Sequence, residues 1–189
     1  MKEKVFIISD IEMGRSDIMD DFTADAYFCN FIKKIQRENE GARLTLILNG
    51  DIFDFLKMAY KGSYPRHITE EMSSWKLQEV LRNHELVFAA LKDFLKKDCN
   101  SVFFVIGNHD ADLAWPSLQN TLRAHLEGTA FNLRFDYWYE TPALHVEHGH
   151  LHDPFFSFKT SRPFVTYKGK KILNTPIGAN ICFSYLVDL

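Results

Sequence analysis

Four times along this chain a short apolar run ends, and the residues that follow are metal-ligand types. Residues 5–9 lead into Asp10 and Glu12, and residues 44–48 lead into Asn49-Gly50-Asp51 and then Asp54. Residues 102–106 lead into Gly107-Asn108-His109-Asp110, and residues 144–147 lead into His148, His150 and His152. Short apolar runs bounded by turn residues read as buried strands. Ligands of open α/β sheets bind outside the carboxyl ends of the strands. Four such ends side by side therefore predict one pocket lined by carboxylates, an amide and imidazoles.

Between these runs the apolar spacing turns helical. Phe22, Ala26, Phe28, Phe31, Ile32 and Ile35 trace one helix, with Asp20 or Asp21 as its cap and Gly41 as its stop. Leu77, Val80, Leu81, His84, Phe88, Leu91 and Leu95 trace one face of a single long helix. Pro116 opens another, running to Leu126 with Gly128 after it. Residues 60–66 read as a loop, and residues 155–171 have no clear period and read as irregular. Strands alternating with helices predict an α/β layered domain. A length of 189 residues suits one domain, and 17 Phe can build a sizeable core.

Composition removes several function classes. A net charge of −3 gives no polyanion-binding surface, so nucleic acid is not an expected partner. No apolar run approaches the roughly 20 residues of a membrane span, and the first run is too short for a signal peptide. A cytoplasmic location is the resulting expectation. Three scattered cysteines, Cys29, Cys99 and Cys182, read as free thiols in a reducing compartment.

Carboxylate oxygen, imidazole nitrogen and one amide oxygen together suit a borderline divalent ion such as Mn, Zn or Fe. No thiolate cluster supports a structural zinc site. A single Asp after a strand is more often a turn or a helix cap; four coincident strand ends weigh against that account. His67, His84 and His125 lie outside the set, and His84 reads as a packed residue.

These elements resemble the calcineurin-like metallophosphoesterase superfamily. Its pattern is Asp-x-His, Gly-Asp-x-x-Asp, Gly-Asn-His-Asp/Glu, a later His and a closing Gly-His-x-His. Gly50-Asp51-Ile52-Phe53-Asp54 and Gly107-Asn108-His109-Asp110 are complete matches. The wording around Ile8-Ser9-Asp10, Asp20-Asp21-Phe22 and Asn108-His109-Asp110-Ala111-Asp112-Leu113 is similar to the bacterial branch related to UDP-2,3-diacylglucosamine pyrophosphatase. The resemblance implies a layered α/β/β/α sandwich, incomplete here at its C-terminal side. It implies hydrolysis of phosphate esters or pyrophosphate bonds by a dinuclear metal centre with a bridging hydroxide. Asp10, Glu12, Asp51, Asn108 and His148 would hold two divalent ions, with Mn expected first and Mg, Fe or Zn as alternatives. His109 would serve the leaving oxygen, and Asp110 would orient it. The substrate would be a phosphorylated small molecule or a nucleotide-linked compound.

Two departures qualify the resemblance. Glu12 stands where the family has His, a harder and charged ligand that favours Mg or Mn over Zn. The run Glu147-His148-Gly149-His150-Leu151-His152-Asp153-Pro154 reads either as the closing motif or as the fourth one, with His148 as the ligand. We favour the fourth, which leaves His150 and His152 as additional candidates and no closing motif downstream; Asp54 is a further candidate, read first as a supporting or structural carboxylate. The apolar ending, residues 181–189, suggests an N-terminal piece of a longer protein, or a homo-oligomer that completes the fold. On either account residues 155–189 depend on a partner or stay irregular. The competing reading is a catalytically impaired relative serving as a binding or assembly module. The aromatic residues of 53–64 and 155–164 read as packing before an acyl-chain groove. The basic stretch of Lys159, Arg162, Lys168, Lys170 and Lys171 reads as a solvated surface.

Overall fold

The computed structural model describes residues 2–187, with side chains to residue 182. Its centre is a parallel sheet of β1 (Glu3–Ile8), β2 (Arg43–Asn49), β3 (Ser101–Val105) and β4 (Leu133–Asp136), in that order. Val5 faces Thr45, and Thr45 faces Ser101, so the first three strands run level and finish at one edge.

The pleat sorts the strand residues between two cores. Leu44, Leu46, Leu48, Val102, Phe104 and Ile106 face one side. There they meet α1 (Asp25–Glu38), α2 (Glu70–Asn83), α3 (Glu85–Leu95) and α4 (Pro116–His125). Ile47, Phe103 and Val105 face the other side, against Tyr139 and Val146. Those two belong to an antiparallel hairpin of β5 (Trp138–Thr141) and β6 (Leu144–Glu147). β2 is buried on both faces, so it reads as a continuous apolar run. The architecture is the expected α/β sandwich, with one adjustment. The strand that ends at His148 lies in the hairpin across the sheet, not beside β1 to β3.

Three local expectations are corrected. The helix begun at residue 21 starts at Asp25, and no side chain caps it. Asp20 instead accepts the backbone N–H groups of Gly14, Ser16 and Phe22, which folds the loop after β1. The single long helix is two, broken at His84 (φ −114°, ψ 37°). The break turns the buried imidazole toward two carboxylates: Nδ1 lies 2.8 Å from Asp25 Oδ1, and Nε2 lies 3.1 Å from Asp20 Oδ2. His84 is thus a packed histidine, as expected, with both nitrogens partnered. Residues 155–171 are not wholly irregular. They include β7 (Phe164–Tyr167), which pairs with β8 (Lys170–Leu173). Strands of four residues show at most two alternations, too few to read as a period.

Phe53 and Phe55 are fully buried, so these two aromatic rings pack the core. The five basic residues of 159–171 are exposed. Cys29 is buried, Cys99 and Cys182 are partly exposed, and all three are free. Of the apolar ending, the backbone forms α5 (Ile177–Val187). Its side chains from residue 183, and residues 188–189 entirely, lie outside the described residues, as does Met1. No helix among the described residues is long and apolar enough to cross a membrane.

Candidate metal centre

The loops after β1 and β2 remain zipped beyond the sheet. Asp10 N–H donates to the Gly50 carbonyl (3.1 Å) and Glu12 N–H to the Asp51 carbonyl (2.9 Å). Met13 N–H donates to Ile52, and Asp54 N–H returns to Met13, both at 2.9 Å. This ladder brings residues 41 positions apart into one rim. It also holds Asp10, Glu12 and Asp51 at φ of 54°, 55° and 51°. Positive φ costs an L-residue free energy and persists where surrounding structure imposes it, most often at functional sites.

Asp51 is the hub. Its Oδ1 accepts the backbone N–H of His109 (2.9 Å), and its Oδ2 lies 3.1 Å from His148 Nε2. Glycines permit this closeness. A Cβ at Gly107 would sit 2.2 Å from Asp51 Oδ1, and one at Gly50 would sit 2.4 Å from His148 Cγ. Asn108 is buried in the same turn as His109. Donor atoms of Asp10, Asp51 and His148 lie within 4.8 Å of one another, as do those of Glu12, Asp51 and His109.

His148 is set up from the far side. Its Nδ1 donates to the Asn49 carbonyl (3.0 Å), while Asn49 Nδ2 donates to the Glu147 carbonyl (3.2 Å). A backbone acceptor on one ring nitrogen leaves the other as the ligand atom, a common way of preparing a metal-binding histidine. A fixed Nε2 beside two carboxylates at the ends of strained loops fits a divalent ion. Asp10, Asp51 and His148 are the donors brought together, with Asn108 adjoining.

The second half of the rim differs from expectation. Asp110 does not touch the His109 ring. Wholly buried, its carboxylate accepts from Gly107 N–H (2.6 Å) and Ile52 N–H (2.8 Å), tying the β2 and β3 loops together. Burial, then the Asp51 charge, push its pKa upward. The partner of His109 is Asp54, whose Oδ1 lies 3.0 Å from Nδ1. Burial would lower the pKa of His109, but the Asp54 bond and the charges of Asp51, Asp54 and Glu12 outweigh it and raise it to about 9. His148 behaves alike: burial opposes, while the Asp51 bond and charge and the Asn49 carbonyl lift it to about 9. Asp51 is held below its usual range by His148 and His109 in spite of burial.

Glu12 is engaged by Lys57, whose Nζ lies 3.2 Å from Glu12 Oε2 and 2.9 Å from Asp54 Oδ2 and also bonds Asp21. Burial would lower the Lys57 pKa; the three carboxylates raise it. In the sequence, the only signals for Lys57 and Asn49 are the Asp-x-x-Lys spacing of Asp54 and Lys57 and the position of Asn49 at a strand end. His150 is buried, and neither of its ring nitrogens has a partner among the described residues. Burial, then the neighbouring His148, push its pKa down to about 4, so it is neutral. Its nitrogens do not join the donor groups on Asp51. His152 is exposed and bonds Glu147 (3.0 Å).

A parallel sheet whose strand-end loops converge on carboxylates and imidazoles defines the class: an α/β protein with donor groups that could hold a metal ion. The family model for calcineurin-like phosphoesterase matches residues 3–180, and the chain belongs to that family. No curated protein and no solved structure matches the chain. Family and donor groups together support a metal-dependent phosphoester hydrolase.

Proposed function

We propose that this chain hydrolyses phosphate esters or pyrophosphate bonds of a phosphorylated small molecule, using divalent metal held at the Asp51 rim. The observation that carries the reading is the convergence of Asp10, Asp51 and His148 donor atoms within 4.8 Å, at loops held in strained backbone. Asp10, Asp51, Asn108 and His148 would hold the ion, with Mn the first expectation. An ion there supplies charge that polarises a phosphoryl oxygen and makes water acidic near neutral pH.

The remaining work belongs to side chains. In the metal-free chain His109 carries a proton at neutral pH, because the Asp54 bond and the charges of Asp51, Asp54 and Glu12 raise its pKa to about 9. With Nδ1 held by Asp54, Nε2 is the nitrogen left to protonate a leaving oxygen. Asp54 fixes the ring and balances its charge. Asp110 fixes the two loops that carry Asp51 and His109. The two-ion form of this reading places a second cation between Glu12 and Asp51, the other donor group built on the hub. The bacterial pyrophosphatase branch is its narrowest form; burial of Phe53 and Phe55 removes one support for an acyl groove.

The competing binding-module reading draws on the engagement of Glu12 by Lys57. Hydrolysis of an aryl phosphodiester with added Mn separates the two. We expect turnover that needs Mn and disappears in Asp51→Ala. No bound metal, no turnover and an Asp51→Ala variant indistinguishable from the parent would leave the binding module.

A further inference from the structure

Three carboxylates, Glu12, Asp21 and Asp54, offer oxygen atoms within 4.8 Å of one another. Asp54 is buried and Glu12 is half-buried, so the group cannot stand as three bare anions. It requires a cation, and the chain itself supplies one. Lys57 Nζ touches all three. Two of these contacts are hydrogen bonds, to Glu12 and Asp21, and the third is an ion pair with Asp54 Oδ2 at 2.9 Å. The placement is also fixed from the backbone, because Lys57 N–H donates to Asp54 Oδ1 at 3.3 Å.

Glu12 belongs to this group and also to the group with Asp51 and His109. A divalent ion on Glu12 and Asp51 would sit next to the ammonium, like charge beside like charge. It would also compete with Lys57 for Glu12. The group of Asp10, Asp51 and His148 shares no residue with the lysine cluster and meets no such competitor.

Resting on the metal-centre reading above, we propose that Lys57, by holding Glu12 and setting its charge beside the Glu12–Asp51 position, takes the place of a second divalent ion. The chain then takes one divalent ion, not two. The ammonium provides the other positive charge, connected to His109 through their shared partner Asp54. A carboxylate at position 12 is what makes this arrangement possible, since a neutral imidazole there would not hold an ammonium.

Metal counting on the full chain tests it. Metal-free protein is saturated with Mn, freed of excess, and assayed for Mn per chain and by electron paramagnetic resonance. We expect one Mn per wild-type chain with an uncoupled six-line spectrum, one in Lys57→Arg, and two in Lys57→Met with a spin-coupled spectrum. Two coupled ions in the wild type would overturn the proposal while leaving the metal centre intact. A folded Lys57→Met that still holds one ion would overturn it too. No Mn on any variant would overturn the metal-centre reading and this one with it. Should Lys57→Met fail to fold, the stoichiometry and spectrum of the wild type decide alone.

Discussion

Single residues at the rim carry opposing demands, and His148 shows them best. In the metal-free chain its ring is paired with Asp51 and its pKa is raised to about 9, above the ordinary 6.5. A raised pKa in the folded state means the ion pair stabilises the fold fully below pH 6.5. That contribution is lost as pH climbs through about 9. Metal binding runs the other way, because the ion needs the neutral ring and must displace the proton. Affinity for Mn should therefore rise about ten-fold per pH unit between pH 7 and pH 9, then level off. Calorimetric titrations in buffers of different ionisation enthalpy would count the proton released. A flat affinity with no proton release would remove His148 from the ligand set. The convergence of Asp10, Asp51 and His148 is legible in the sequence because each follows an apolar strand. The Asp54–His109 bond was not, since sequence adjacency favoured Asp110 as the partner. Adjacent residues in a tight turn point apart, and a carboxylate from the neighbouring loop reaches the ring instead.

Among the elements, the turn after β3 decides whether the rim closes. Gly107 lies where backbone passes against Asp51, and a Cβ there would stand 2.2 Å from Oδ1 and 2.5 Å from the backbone nitrogen. Neither atom can move without breaking the bonds from His109 N–H or the loop ladder. Gly107→Ala should cost about 1–3 kcal/mol of stability, the usual range for forced overpacking. It should also lower Mn affinity more than ten-fold, measured by denaturant titration and metal titration on one preparation. Unchanged metal affinity would mean that the turn does not position the hub. Element boundaries were the less legible part. One apolar face running through residues 77–95 read as one helix, because His84 can sit on such a face without interrupting its spacing. What divides it is tertiary: Asp20 and Asp25 come from distant elements to meet the imidazole.

For the whole molecule, the site depends on a hairpin packed on the face opposite the helices. The sequence read β6 as a fourth neighbour in the sheet, since apolar periodicity reports burial but not which side of a sheet a segment covers. The hairpin is anchored by Tyr139, buried with its ring edge-on to Phe103 at 5.1 Å between centroids. Asn49 then fastens its end to β2, which sets His148 against Asp51. On the proposed metal centre, stability and metal affinity should thus be coupled through a contact that touches no proposed ligand. Tyr139→Ala should destabilise the chain by about 3–5 kcal/mol, as for other buried aromatics cut to Ala. It should also weaken Mn binding several-fold under conditions where the variant is folded, because His148 rides on the loosened strand. The comparison that matters is with Leu118→Ala, a fully buried residue of α4 on the helical side. That variant should lose comparable stability and keep its metal affinity. Equal losses of affinity in both would mean that the hairpin has no special hold on the site and that the rim senses only global stability.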